Sequence, residues 1–167
     1  MIIVEYRLDE VFNTLPVIIN KGKEFKPVYN FGTHEDLLVF LIDKQRQNKT
    51  PYPLIWFETE KPGTGYDEIE MNVKLILAVQ SLPNISNKDR VLHYIKPILE
   101  PVYENVLKAL RLSGITSILN EENIVTTLYY NYTDAKLTEA ISVWDAIKVE
   151  LTITVNEKEF LNCINYG

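Results

Sequence analysis

Ile69-Glu70-Met71-Asn72-Val73-Lys74-Leu75-Ile76-Leu77-Ala78-Val79-Gln80 is the stretch on which the fold class turns. Met71, Val73, Leu75, Leu77 and Val79 alternate with Glu70, Asn72, Lys74, Ile76, Ala78 and Gln80, a period of two kept over eleven residues. At about 3.3 Å per residue such a strand is roughly 36 Å long, well above the usual length, so one end is expected to project from the body. Just upstream, Lys61-Pro62-Gly63-Thr64-Gly65 is rich in turn formers, and Pro53-Leu54-Ile55-Trp56-Phe57-Glu58-Thr59-Glu60 carries the β-branched and aromatic content of a strand. Together they predict a long β-hairpin over about residues 53–80.

Two further strands are predicted, Asn123 to Tyr132 and Ser142 to Asn156. In the second, Ile147, Val149, Leu151, Ile153 and Val155 face inward and Lys148, Glu150, Thr152 and Thr154 outward, which predicts an antiparallel sheet covered on one face. Helical periodicity marks other segments. Val91, Ile95, Ile98, Val102, Val106 and Leu110 recur at steps of three and four, behind a cap at Ser86 or Asn87 and before Gly114. Pro97 and Pro101 each lack an N–H and crowd the carbonyl four residues back, so a kink or restart is expected near Pro97. Thr33-His34-Glu35-Asp36 has the pattern of a capping box, and Lys44, Arg46 and Lys49 precede the stop at Thr50-Pro51. Inside that helix the apolar run from Leu37 to Ile42 wraps the whole circumference; Leu37, Leu38, Leu41 and Ile42 are expected to face the sheet, leaving Val39 and Phe40 pointing away from it. An N-terminal helix is predicted over Ile2 to Leu15, closed by Pro16, with a brief β-branched stretch, a turn at Lys21-Gly22-Lys23 and an edge or irregular strand over Phe25 to Phe31, where Pro27 cannot donate.

These elements define an α+β fold, a mainly antiparallel sheet with a long β-hairpin flanked by two to three helices. The length of 167 residues suits a single domain, with a C-terminal tail over about 157–167 whose Phe160-Leu161 could dock. Hydrophobic residues at 46% and charged residues at 24% exclude disorder, collagen-like repeats and coiled coil. The longest apolar run has six residues, far from the roughly 20 that span a bilayer, and Glu5, Arg7, Asp9 and Glu10 stand where a signal peptide would be apolar. No membrane role is expected, and assembly in the cytoplasm is. The lone Cys163 excludes an internal disulfide and a multi-cysteine zinc site, and the net charge of −6 is opposite in sign to what phosphate-backbone binding favours.

No chemistry is visible in the motifs. His34 reads as a solvated first-turn residue with Glu35 and Asp36 beside it, and His93 as a helix-surface residue; neither has metal-ligand spacing to a second His or Cys. The serines lack a Gly-x-Ser-x-Gly elbow, and Pro62-Gly63-Thr64-Gly65 lacks the Gly-Lys-Ser/Thr ending of a phosphate cradle and joins strand to strand. Glu58, Glu60, Asp67, Glu68 and Glu70 cluster at the hairpin tip, where a charged, solvated role outweighs Mg²⁺ chemistry. No catalytic residue, metal or cofactor is therefore expected. The aromatics are more informative: Trp56 and Trp144 are assigned to the core, whereas Tyr129, Tyr130 and Tyr132 run over both faces of a strand and suit an interface. The candidate interface residues are Val39 and Phe40 on the second helix, Lys61, Thr64, Tyr66 and Asp67 at the hairpin tip, and Tyr129, Tyr130 and Tyr132.

Four segments taken together carry a resemblance: Phe31-Gly32-Thr33, the strand Tyr52-Pro53-Leu54-Ile55-Trp56-Phe57, the helix from Lys96-Pro97-Ile98-Leu99-Glu100-Pro101 to Leu107, and the strand Val143-Trp144-Asp145-Ala146-Ile147-Lys148-Val149. In this order the chain resembles small tail-terminator, tail-completion or neck proteins of tailed bacteriophages, particularly phages and prophages of Bacteroides-like hosts. The resemblance implies a virion structural protein without enzymatic activity or cofactor, assembled in the host cytoplasm as a homo-oligomeric ring of the head-to-tail connector. It also implies contacts with other neck, portal-adjacent or tail proteins, with DNA only passing through the lumen. Hexamer and dodecamer are both compatible with it. An acidic subunit suits a lumen along which DNA must slide without sticking. Two other readings accompany this one: an adaptor that binds a protein or peptide through its sheet edge, and a Mg²⁺-dependent enzyme using the acidic hairpin tip.

Overall fold

The computed structural model describes residues 3–60, 69–132, 144–157 and 160–167. Helix α1 (Val4–Phe12) leads into a two-stranded hairpin, β1 (Ile18–Asn20) and β2 (Lys23–Phe25), then β3 (Val28–Gly32) and α2 (His34–Arg46). After β4 (Leu54–Glu58) and β5 (Glu70–Gln80), a continuous helical segment runs through α3 (Asn87–Arg90), a π-helical stretch (Val91–Leu99) and α4 (Glu100–Leu112). β6 (Thr116–Leu119), a 3₁₀ turn (Glu121–Asn123), β7 (Val125–Tyr129) and β8 (Trp144–Val155) complete the order. The fold is α+β, with a mainly antiparallel sheet in the order β3-β4-β5-β8-β6 and β7 also paired to β8.

The alternating stretch forms the strand its pattern predicts. Its partner over the full length is β8, in eleven antiparallel pairs from Glu70↔Thr154 to Gln80↔Trp144. β4 pairs only with Leu75 to Ala78, so the arms of the 53–80 hairpin are unequal and the Glu70 end is held by β8 rather than projecting. Whether Lys61 to Asp67 forms an exposed tip lies outside the described residues. β3 pairs in parallel with β4 within the mainly antiparallel sheet: Lys26 and Pro27 divide the predicted 25–31 strand, and α2 returns the chain so that β3 and β4 run the same way.

One face of the sheet, built from Ile55 and Phe57, Val73 to Val79 at alternate positions, and Ile147 to Val155, is covered by α1 and the long helical segment. The predicted inward set of β8 lies here. The single-faced expectation holds only for the half where Asn72 and Lys74 oppose Thr152 and Glu150. Toward the other end Leu54, Trp56, Ile76, Ala78, Trp144 and Ala146 make a second core under Leu37 and Leu41 of α2. Small or apolar side chains at the nominally outward positions Ile76, Ala78 and Ala146 remove the cost that a Lys or Glu would incur there.

Helix ends follow local chemistry. The Thr33 backbone N–H donates to Asp36 Oδ2 at 2.8 Å while Asp36 N–H donates to Thr33 Oγ1 at 3.3 Å, a complete capping box. Gly32 precedes it at φ +148°, and a Cβ there would lie 2.7 Å from the Asp36 Cβ. The helix stops at Arg46, short of Thr50-Pro51, because Asn48 turns left-handed at φ +51° and the Asn48 and Lys49 N–H groups donate to the Gln45 and Lys44 carbonyls, the Schellman arrangement. The expected interruption near Pro97 takes the form of the π-helical stretch, which contains Pro97, and Pro101 sits in the first turn of α4 at the junction with it. The C-terminal tail docks, through Leu161, Ile164 and Tyr166 against the first core, with Asn162 N–H donating to the Ser113 carbonyl at 2.8 Å, whereas Phe160 stays 75% exposed. Burial pushes the Tyr29 phenol well above its usual range, with the carboxylates of Glu5 and Asp9 adding to the effect, and its hydroxyl donates to the Glu5 carbonyl at 3.1 Å.

Trp56 and Trp144 are both in the core, and the Trp56 indole N–H donates to the Gly32 carbonyl at 3.1 Å. Trp56→Ala is expected to cost roughly 3 to 5 kcal/mol in a urea titration. Cys163 is exposed, and Cys163→Ser should shift stability by no more than about 0.5 kcal/mol. Reversed magnitudes would overturn the core assignment.

Candidate interaction surface

Among the described strands, β7 is an edge whose residues are all exposed. Among the described residues it is hydrogen-bonded to β8 alone, from Val125↔Glu150 to Tyr129↔Ala146. Paired residues of neighbouring strands share a face, so Val125, Thr127 and Tyr129 stand on the α2 side with Ala146, and Thr126 and Leu128 on the other side with Ile147. Neither face is buried, and Val125 remains 56% exposed. A strand exposed on both faces, with Val, Leu and Tyr on it, is the kind of edge onto which another chain pairs.

The segment leaving β7 is held tightly. Asn131, at φ +53°, donates its N–H to Asp145 Oδ1 at 2.8 Å, and Tyr132 N–H donates to the Trp144 carbonyl at 2.7 Å. Asp145 is fully buried and pairs with Arg90, whose guanidinium reaches Asp145 Oδ1 and Ser81 Oγ at 2.9 Å each and the Leu82 carbonyl at 3.2 Å. Asp145 Oδ2 has no hydrogen-bond partner among the described residues. This ion pair therefore ties α3, the end of β5, the start of β8 and the exit of β7 together. From Tyr129 the rings continue inward, Tyr129 to Tyr132 at 5.0 Å and Tyr132 edge-on to Trp144 at 4.9 Å. Tyr129 and Tyr130 are exposed, and Tyr132 is half-buried against the second core.

The α2 candidates separate. Val39 is 59% exposed, as its angular position predicts. Phe40 does not point into solvent: its ring packs 5.7 Å from Trp56, beneath the Lys44 ammonium, and it is half-buried. A broad aromatic side chain at the border of the Leu37 and Leu41 stripe reaches back to the tryptophan of β4, so the sheet covers it. Leu38 and Ile42 are correspondingly only half-buried. Lys61, Thr64, Tyr66 and Asp67 lie outside the described residues.

Of the acidic hairpin residues, Glu58 stands 3.9 Å from Lys148, and with Glu60, His34 and Glu35 it borders a shallow concavity beside the α2 cap. Among the described residues no group of three or more His, Cys, Asp or Glu side chains is placed to hold a metal ion, and no helix is long and apolar enough to cross a membrane. Comparison with family models, with curated proteins and with solved structures finds no match.

Sequence reading missed the Arg90–Asp145 pair. Arg90 looks like one more helix-surface cation, and only its distance from solvent in the folded chain distinguishes it. Arg90→Leu leaves the Asp145 carboxylate buried without its counter-charge and is expected to cost about 3 to 5 kcal/mol, far above the typical ~0 to 1 kcal/mol of an exposed pair. Chemical denaturation of the variant distinguishes these, and a loss in the lower range would mean the pair is solvated.

Proposed function

We propose that the chain is a non-enzymatic virion structural protein, a ring-forming subunit of the head-to-tail connector or tail terminator of a tailed phage. The observation that carries this reading is β7, an edge strand with apolar side chains exposed on both faces and its backbone rigidly anchored at its exit. In a ring each subunit offers such an edge to a different surface of its neighbour, and the contact repeats until the rotation closes. Val39 and the Tyr129–Tyr130 pair are the side chains assigned to that contact, both outside the two cores. The four-segment resemblance supplies the phage setting, and the acidic charge suits a lumen through which DNA passes.

Light scattering of the full chain tests the reading. The parent protein is expected to run as a closed hexamer or dodecamer at high micromolar concentration. Val125→Lys combined with Tyr130→Asp should yield monomers with an unchanged circular dichroism spectrum, since both positions are exposed. A parent protein that stays monomeric throughout would refute the ring and favour the adaptor reading, in which the same edge receives a peptide.

A further inference from the structure

A cleft of about 540 Å³ opens where the β1–β2 hairpin, the π-helical stretch and the end of β5 meet. Its volume falls in the range of roughly 300 to 1,000 Å³ that small-molecule sites occupy. The wall is apolar and aromatic: Val79 and Ile98 are buried, and Phe25 and Tyr94 are half-buried against the same core. The cationic side chains Lys21 and Lys23 and the imidazole of His93 also border it. No carboxylate lines the cleft among the described residues, although the chain carries 23 acidic against 17 basic residues.

Two local features build this arrangement. Lys21 and Gly22 form a two-residue hairpin loop with both φ values positive, +50° and +76°. Such loops favour Asn, Asp or Gly at the first position, because a side chain with a Cβ is disfavoured there. Lys occupies it instead, with Asn one residue earlier, and its Nζ reaches across to 3.4 Å from His93 Nδ1. On the opposite wall the π-helical stretch brings His93 and Ile98, five apart, to the same cavity; five positions in an α-helix lie about 140° apart around the axis. Strained backbone and π-helical segments are both concentrated at functional sites.

We infer that this cleft binds a small organic anion, a phosphate or carboxylate group on an aromatic or otherwise apolar body. An ammonium only donates, so His93 Nδ1 is the acceptor in the present pair, and 3.4 Å is long for such a bond. An anionic oxygen is the stronger acceptor and takes its place, held by Lys21 with Lys23 adding charge, while the body of the ligand covers Tyr94, Phe25 and Ile98. The inference is independent of the ring, since it uses neither β7 nor α2.

The test is a titration of the full chain with phenyl phosphate followed by ¹⁵N–¹H spectra, alongside inorganic phosphate and benzyl alcohol. Phenyl phosphate is expected to shift the amides of Lys21, Gly22, Gln80, His93 and Tyr94 saturably, with a submillimolar dissociation constant. Phosphate alone and benzyl alcohol should bind at least tenfold more weakly. Lys21→Gln with Lys23→Gln, both exposed positions, should weaken phenyl phosphate at least tenfold with the thermal midpoint unchanged. Absence of saturable shifts, equal binding of either fragment, or parental affinity in the double variant would overturn the assignment.

Discussion

The antiparallel ladder between β5 and β8 is the constraint on which the remaining structure depends. Its eleven consecutive pairs span about 36 Å and occupy the middle of the sheet, so every other strand of that sheet is placed by reference to one of the two. β4 joins the C-terminal half of β5, bringing the parallel β3 with it, while β6 and β7 divide the free side of β8 between them. The alternation in β5 and β8 also assigns the faces. Slipping the register by one residue would turn Val73, Leu75 and Leu77 toward the solvated side and Lys74 and Asn72 into the core. That penalty makes the pairing specific.

The same ladder explains why the molecule has two unequal cores. Alternation sends Leu, Val and Ile to the face under α1 and α4 along its whole length. Only at the end nearest Trp144 do the opposite positions also become apolar, and there α2 docks. The helix apolar on consecutive positions needs that cover on one side and still leaves Val39 outside. Arg90 and Asp145 close this end. An ion pair buried so completely is a weak source of net stability, whereas a misaligned β8 would leave two charges without partners in the interior.

Much of this was legible in the sequence, for identifiable reasons. The period of two in β5 and the capping box at Thr33 are local patterns whose geometry is set within a few residues, and both appear as expected. The end of α2 was misplaced because Pro51 is a conspicuous stop, whereas Asn48 acts through a left-handed conformation that composition does not announce. β6 follows Gly114 too closely to display a period, and the parallel pairing of β3 depends on where α2 returns the chain. Helical angle alone points Phe40 away from the sheet, and it ignores the reach of an aromatic side chain to Trp56. The cleft could not be read at all: an α-helical period puts His93 and Ile98 on different faces, and the π-helical stretch brings them together. Of the candidate interaction surface, the run Tyr129 to Tyr132 is visible in the sequence, but the anchoring of this segment by Asp145, reached from Arg90 across 55 residues, has no local signature.

The central claim is that a rigid β5–β8 ladder carries β7 as an open, association-ready edge, and amide hydrogen exchange measured on the protein under dilute and concentrated conditions tests it most directly. Amides from Val73 to Val79 and from Ala146 to Ile153 should exchange only through global unfolding under both conditions, while those of β7 exchange by local opening when dilute and gain protection on concentration. Ladder amides that open well below the global unfolding free energy, or a β7 as protected as the ladder in the dilute protein, would contradict the account.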